Sequence, residues 1–452
     1  MKSLMAAAIL IATLAVYLHD ADTNPPGFYL DEASIALNAL LIARDRADEY
    51  GIPMPLYFRS LEDYKSPTYI YLLAGVFEVA EPSVAVARRF SAFVCWLAAV
   101  MVGVLAWRIT RRRWMALAAF LLTALTPAIF ETGRLVFEVA LYPLVIALLL
   151  LTVHAAAQRP RWNAAIVVAL VAALALVEYS YAAGRALGPL FAFTIAAVFY
   201  TRERRSAIAA MLALFVLTSL VPVLVFNART GGGLTARARH LNAFSLQTRP
   251  EDAILNALLP IGLAVRGDVN ARHHVPHGGG SILVATVLLG FAGAYLVLRT
   301  QPRDRWWTFV VAGMFVSLVP YALASDIYHS LRLSSFIIFL LVLSIRAFEV
   351  RPVVIVALVL AAIQPVWFYR AFRTYGPQRT TEFNAGMERV TREALRQPER
   401  PIYVPGLHYC QARWYAELAG VSRTQFIRVA SAGDVPRGAL MITGDARLER
   451  AR

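Results

Sequence analysis

Eleven apolar runs dominate this sequence, and their lengths approach or reach what a helix needs to cross a lipid bilayer. Spanning the hydrocarbon core takes about 20 predominantly apolar residues. Only 16% of the residues are charged, whereas soluble domains carry roughly 25%. The sequence therefore predicts an all-α polytopic membrane protein. The runs fall at 4–18, 89–107, 114–130, 138–157, 163–180, 186–200, 206–226, 281–298, 306–324, 333–348 and 353–368.

Basic residues collect in every second loop between these runs. Lys2 precedes the first run, and arginines cluster near 108–113, 159–161, 202–205, 299–305 and 346–351. Cytoplasmic loops of membrane proteins carry such an excess. The pattern predicts a cytoplasmic N-terminus. It also accounts for the net charge of +15, so this charge does not indicate a nucleic-acid partner.

The alternation divides the chain into two predicted domains. Residues 1–368 form the transmembrane domain, with external loops at 19–88 and 227–280. Within 19–88 we expect juxtamembrane helices, one of them an interfacial amphipathic helix over 31–50. Residues 369–452 alternate helical and strand patterns, which predicts a small α/β domain on the non-cytoplasmic side.

Two adjacent carboxylates, Asp31 and Glu32, directly follow the first external turn. Their neighbours are apolar, and they begin a predicted helix, where the helix dipole keeps a carboxylate ionised. A partly buried, ionised carboxylate can serve as a general base. The simpler alternative is a solvated loop surface.

Charged residues follow at two more external positions. Lys65 is one of only two lysines in the chain and comes after Glu62, Asp63 and Tyr64, which indicates either a phosphate ligand or an exposed loop lysine. Arg134 and Glu138 are four residues apart, a spacing that predicts an ion pair on one helix face.

Two further external loops are rich in imidazole and arginine. One contains Asp268, Arg272 and His273, and the other contains His329 and Arg332. Imidazole and carboxylate groups can bind a divalent metal ion, although the spacing is also that of a hydrogen-bonded polar loop. Arg332 and His329, at a predicted helix start, could bind an anionic group or anchor the loop at the interface.

Together these residues resemble the GT-C glycosyltransferases, in particular the bacterial branch similar to protein O-mannosyltransferases and the lipid A aminoarabinose transferase (glycosyltransferase family 39-like). The resemblance covers most of residues 1–350 and is carried by Leu30-Asp31-Glu32-Ala33, by the segments near 55–71 and 134–138, and by the two loops with histidines. It implies transfer of a sugar from a polyprenyl-phosphate donor to an acceptor hydroxyl, with inversion. It also implies a bacterial inner-membrane location.

The resemblance further implies roles for individual residues. Asp31 is the base, with Glu32 as its neighbour, and Lys65 and Arg134 bind the donor phosphate, as Arg332 could. Other residues contact or support the substrate: Tyr64, Glu138, Asp268, Arg272, His273 and His329. A divalent metal near Glu62, Asp63 and His273 is a further expectation.

Two other classes of protein stay open at this point. A flippase or transporter of lipid-linked sugars would use the same substrate, but transporters place ionisable groups near the bilayer midplane, and the apolar runs here carry few charges. A structural subunit of an envelope complex is the other alternative. The sequence does not distinguish a lipid, glycan or protein acceptor.

Overall fold

The computed structural model describes residues 2–61, 63–240, 259–322, 329–421 and 425–451. Its α-helices are α1 (Lys2–Leu18), α2 (Leu30–Asp45), α3 (Pro67–Phe77), α4 (Val84–Thr110), α5 (Arg113–Ala124), α6 (Pro127–Thr132), α7 (Tyr142–Ala157), α8 (Ala164–Ser180), α9 (Gly184–Phe199), α10 (Arg205–Phe215), α11 (Val221–Arg229), α12 (Gly233–His240), α13 (Val284–Thr300), α14 (Arg305–Val316), α15 (Val319–Ala322), α16 (Ser334–Ala347), α17 (Arg351–Tyr375), α18 (Met387–Arg396) and α19 (Tyr409–Leu418). The strands are β1 (Phe58–Ser60), β2 (Asp63–Lys65), β3 (Ile402–Pro405), β4 (Phe426–Val429), β5 (Leu440–Ile442) and β6 (Leu448–Arg450).

Each predicted apolar run is helical over most of its described residues, which confirms the predicted helical membrane architecture. Among the described residues, five helices are long and apolar enough to cross a membrane, and six shorter apolar helices have 10–17 residues. Two of the predicted runs are interrupted, between α5 and α6 and between α14 and α15. At the first break Pro127 disfavours helical geometry in the residue before it.

The arginine-rich loops lie together at one end of the helices. Arg204 donates to backbone carbonyls of the 159–160 turn, and Arg305 donates to the last residue of α9. Arg112 and Arg346 line one cavity. The predicted external segments meet elsewhere, where Arg185 donates to the carbonyl of Tyr64.

Helix α2 is buried, and the prediction of an interfacial amphipathic helix over 31–50 is wrong. Residues Glu32 to Ile42 are all buried, because α3 packs against α2 and so does α19 from the C-terminal region. The helix ends at Arg46, which adopts a left-handed conformation with φ +56°.

The C-terminal region has the predicted α/β character. Its strands form a sheet in the order β4-β3-β5-β6, in which β3 is parallel to β4 and β5, and β6 is antiparallel to β5. Helices α18 and α19 pack against each other and against this sheet. Through α19 the region reaches α2, the helix that carries Asp31.

Candidate active site

Asp31 lies in the first turn of α2 and forms an ion pair with Lys65. Lys65 Nζ is 2.8 Å from Asp31 Oδ1. The lysine side chain is 8% exposed and the aspartate side chain 23%, so the carboxylate is the accessible partner. Lys65 comes from the last residue of β2, in the hairpin β1–β2. Residues 34 positions apart in the sequence thus meet in one partly buried charge pair.

Glu32 is fully buried and faces away from solvent. Its carboxylate accepts two hydrogen bonds from Arg88, at 2.9 and 2.8 Å, and the Arg88 side chain is also fully buried. It also accepts backbone N–H bonds from Tyr29 and Val136. With its oxygens occupied in this way, Glu32 fixes the start of α2 and is not placed to accept a proton from a substrate.

Arg88 and the C-terminal region together hold the turn that precedes Asp31. Arg88 donates to the carbonyls of Pro25 at 2.6 Å and Gly27 at 2.8 Å, and Gln411 of α19 donates to the carbonyl of Phe28 at 2.6 Å. Gly27 has φ +73°, and a Cβ there would lie 2.5 Å from the carbonyl oxygen of Phe383. The turn therefore requires glycine and is clamped from two sides.

The hairpin that carries Lys65 is anchored by the predicted residues Tyr64 and Glu138. The Glu138 carboxylate accepts a hydrogen bond from the backbone N–H of Ser66. Arg185 donates to the carbonyl of Tyr64 at 3.0 Å, and the Tyr64 ring packs edge-on against Phe226. Tyr64 therefore precedes Lys65 in the chain, and Glu138 binds the residue that follows Lys65.

Arg134 is not part of this group. Its guanidinium donates to the carbonyls of Val16 and His19 at the end of α1 and lies over the ring of Phe130, 4.7 Å from the ring centroid. The predicted ion pair with Glu138 is wrong, because residues 133–137 are not helical and the two side chains point to different partners.

The loop around 266–280 reaches the start of α2 through Arg272. The Arg272 guanidinium donates to the Tyr29 hydroxyl and lies over the Tyr29 ring at 4.7 Å from its centroid. Tyr29 is two residues before Asp31. A second cation is therefore held close to the turn that presents the candidate base.

Asp268, His273 and His329 form a compact cluster next to this loop. His273 Nδ1 lies 3.2 Å from Asp268 Oδ2, and the two imidazole rings lie 4.6 Å apart. Asp268 Oδ2 also accepts hydrogen bonds from the backbone and the hydroxyl of Ser330. Burial raises the pKa of Asp268, but the hydrogen bond and charge of His273 outweigh burial and lower it to about 2.

One potential ligand atom from each of these three residues lies within 4.8 Å of the others, a group that could hold a metal ion. The predicted metal ligands differ from this set. His273 is shared, Glu62 lies outside the described residues, and Asp63 accepts a hydrogen bond from the N–H of Tyr64 and is not in the cluster. Arg332 lies two residues after Ser330, in a short 3₁₀ turn (Ser330–Leu333) at the same end of the molecule.

A buried hydrogen-bond network, which the sequence analysis does not predict, holds the 266–280 loop to the rest of the fold. His274 Nδ1 lies 2.6 Å from Glu131 Oε2, and its Nε2 lies 2.8 Å from the carbonyl oxygen of Gly279. Arg379, from the C-terminal region, also contacts Glu131 at 3.3 Å. Both imidazole nitrogens face acceptors, so His274 donates from both. Burial lowers the pKa of His274, but the Glu131 charge outweighs burial and raises it.

The comparisons with known proteins give a match in fold. No family model matches the chain, and no curated protein matches it. The solved structure of ArnT from Cupriavidus metallidurans in the apo state is similar, with a TM-score of 0.64 and 13% sequence identity over 95% of this chain and 86% of that chain. The same protein bound to undecaprenyl phosphate gives a TM-score of 0.65 and 13% identity over 98% and 93%. The chain therefore shares the fold of these two ArnT structures, which is a fold of the kind that the sequence resemblance predicted.

Proposed function

We propose that this protein is an integral-membrane glycosyltransferase that moves a sugar from a polyprenyl-phosphate donor to an acceptor hydroxyl. The observation that carries the proposal is the 2.8 Å pair of Asp31 and Lys65, in which the carboxylate is partly exposed and the cation is buried beside it. The GT-C fold supports it, as does the undecaprenyl phosphate bound to the similar ArnT structure. The acceptor is a lipid, a glycan or a protein.

The reaction follows from the roles these side chains can take. Asp31 accepts the proton of the acceptor hydroxyl while the acceptor oxygen forms a bond to the anomeric carbon. The bond from that carbon to the phosphate oxygen breaks, and its electron pair leaves with the polyprenyl phosphate. This single displacement inverts the anomeric centre. Lys65 and Arg272, with Arg332 as a further cation, stabilise the charge on the departing phosphate.

Glu32 and Arg88 act as positioning residues in this proposal. Their buried bidentate pair sets the first turn of α2, so Asp31 is presented with little freedom. Positioning of this kind contributes to rate because misplacement of a reacting group by about 1 Å can cost roughly 10²-fold. Tyr64 and Glu138 support Lys65 in the same way through the hairpin.

The residues also fit a divalent metal ion. Asp268, His273 and His329 are the side chains that would hold it, since two imidazoles and one carboxylate are a common donor set for zinc and other transition metals. When bound, such an ion supplies positive charge that can neutralise a phosphate. Independently of it, Asp268 orders the loop by accepting the bonds of Ser330.

We place the protein in the bacterial inner membrane with multiple spans. The arginine-rich loops and the N-terminus lie on the cytoplasmic side, because positive residues are retained there. The Asp31 site and the C-terminal domain then face the periplasm or the exterior. A lipid-linked donor is consistent with this side, where nucleotide sugars are not made.

Replacing Lys65 tests its role at the phosphate. We expect Lys65→Gln to lower kcat/KM by roughly 10²–10³-fold, the usual cost of losing one group that stabilises charge in the transition state. Lys65→Arg, which keeps the charge, should retain more activity. The matched control is Arg59→Gln, an exposed cation on the neighbouring strand β1. Equal activity of Lys65→Gln and Arg59→Gln would contradict the assignment.

Metal content tests the histidine cluster. Purified protein dialysed against zinc or manganese should retain about one equivalent, and His329→Ala should lose it, because three ligands are the minimum set seen in catalytic sites. Asp63→Asn should bind as the unmodified protein does. Loss of metal in Asp63→Asn with retention in His329→Ala would favour the ligands predicted from sequence instead.

Two experiments together separate a transferase from a lipid-linked-sugar flippase. Mass spectrometry of envelope glycans and lipids, from cells with and without the gene, should reveal one glycosylated species that depends on the gene. Reconstituted liposomes without acceptor should show no gene-dependent movement of the donor between leaflets. Donor movement without any glycosylated product would support the transporter and overturn the transferase.

A further inference from the structure

A second site lies at the basic end of the helices, away from Asp31. A cavity of about 240 Å³ opens between the ends of α4, α5, α13, α14 and α16. For comparison, a cavity of roughly 150 Å³ admits a benzene ring. The cavity is lined by Ile109, Thr110, Arg112, Met115, Gln301, Trp307, Ile345, Arg346 and Glu349. Nothing in the transferase reaction uses these residues.

The polar lining carries both signs of charge. Arg112 and Arg346 contribute two cations, and Glu349 contributes a carboxylate that lies 3.1 Å from Arg346. Two polar atoms of the lining residues, Gln301 Oε1 and Arg346 Nε, are buried and have no hydrogen-bond partner among the described residues. Buried polar groups are nearly always paired, so a ligand could donate to Gln301 Oε1 and accept from Arg346 Nε.

The helix ends around the cavity add to this pattern. Helices α4, α13 and α16 end there, at Thr110, Thr300 and Ala347, and helices α5 and α14 begin there, at Arg113 and Arg305. A helix C-terminus carries a partial negative charge and favours a cation, whereas the helix N-termini and the two arginines favour an anion. A ligand with a phosphate and an ammonium group satisfies both requirements, and a purely anionic ligand satisfies only one.

The position of the cavity indicates where such a ligand comes from. Trp107 and Trp114 flank the same end of α4 and α5 and are 43% and 51% exposed. Tryptophan is enriched at the level of the lipid headgroups, and basic pockets between membrane helices on the cytoplasmic side bind headgroups. Ile109, Met115 and Ile345 give the cavity an apolar part that suits the start of a lipid tail.

We propose that this cavity binds a phosphoethanolamine group, carried by a phospholipid of the adjoining leaflet. The phosphate is bound by Arg112 and Arg346, and the ammonium group by Glu349 and Gln301. The lipid then joins α4 and α5 to α13, α14 and α16. Because a ligand that binds only the folded state raises its stability, this lipid stabilises the helix bundle. The proposal does not depend on the transferase function.

The test uses delipidated full-length protein in detergent, with thermal unfolding and native mass spectrometry as readouts. The added probes are phosphatidylethanolamine, phosphatidylglycerol, phosphatidylcholine, free phosphoethanolamine and inorganic phosphate. We expect phosphatidylethanolamine to bind with one-to-one stoichiometry and to raise the unfolding temperature more than the other probes do. If free phosphoethanolamine raised the unfolding temperature as much as phosphatidylethanolamine does, the ligand would be the soluble compound and the proposed lipid would be wrong. Tighter binding of phosphatidylglycerol than of phosphatidylethanolamine would contradict the proposal that the cavity binds a zwitterionic headgroup.

Variants locate the effect in the cavity. Arg112→Ala, at an exposed side chain, should leave folding intact and weaken phosphatidylethanolamine binding about tenfold, and Glu349→Gln should remove the preference over phosphatidylglycerol. The matched control is Arg202→Ala, an exposed arginine at the same end that does not line the cavity. If Arg202→Ala weakens binding as much as Arg112→Ala does, the lipid is held by surface charge and the proposed site is wrong.

Discussion

Asp31→Asn is expected to lower kcat at least 10²-fold while donor binding stays close to that of the unmodified protein. General base catalysis contributes about 10²–10⁴-fold, and the amide that replaces the carboxylate cannot accept the acceptor proton. The substitution keeps the shape of the side chain, and Asp31 is partly exposed, so the fold should tolerate it. Single-turnover transfer and equilibrium donor binding measure the two quantities separately.

The matched control for this experiment is Asp22→Asn, an exposed carboxylate in the segment between α1 and α2. It should transfer sugar at the normal rate, because it makes no contact with Lys65. If Asp31→Asn kept full activity, Asp31 would not be the base. If both variants lost activity equally, the effect would come from the negative charge near the start of α2 and not from one proton acceptor.

Arg88→Met is expected to cause a large loss of stability. It leaves the Glu32 carboxylate buried without its bidentate partner, and breaking one side of a buried pair typically costs about 3–5 kcal/mol. It also removes donors from the carbonyls of Pro25 and Gly27. Thermal unfolding in detergent should show a large decrease in the midpoint.

Arg89→Ala is the control for this prediction, since Arg89 is the next residue of α4 and is exposed. It should change the unfolding midpoint only slightly. The double variant Glu32→Leu with Arg88→Met removes both buried charges and should be more stable than Arg88→Met alone. A double variant as unstable as the single one would mean that the carbonyl contacts, and not the ion pair, dominate the stability of the turn.

The helices could be predicted from sequence because their signal is local. An apolar run of bilayer length must form internal backbone hydrogen bonds, so the run itself specifies a helix. The C-terminal strands were also recognisable, from short apolar stretches such as 401–404 and 425–429. The sequence correctly predicts that Asp31 and Glu32 begin one helix, but it does not indicate that one carboxylate is partly exposed and the other fully buried.

What the sequence could not provide depends on contacts between distant segments. Arg88 binds Glu32 across 56 positions, and its only local signal was a charge at the edge of an apolar run. His329 joins Asp268 and His273 from a distant loop, so the candidate metal ligands include Asp268 and His329, whereas Asp63 is not in this cluster. The spacing of Arg134 and Glu138 predicts that both lie on one helix face, yet the chain leaves the helix at Gly133, so the Arg134 side chain turns to α1.

The C-terminal region is the clearest case of non-local information. Gln411 of α19 binds the carbonyl of Phe28, and Trp414 packs on the Phe28 ring with centroids 5.6 Å apart. No pattern within 369–452 indicates such a role, because the partner turn is more than 380 residues away in the chain. The same packing explains why α2 is buried instead of lying on the membrane.

The most direct test of the central claim measures the release of free polyprenyl phosphate by purified protein supplied with a labelled polyprenyl-phosphate sugar. The proposal predicts that release is coupled one-to-one to the appearance of the sugar on an envelope acceptor, requires that acceptor, and disappears in Asp31→Asn. Release that proceeds at the same rate in Asp31→Asn, or a donor that stays intact with every envelope acceptor fraction, would contradict it.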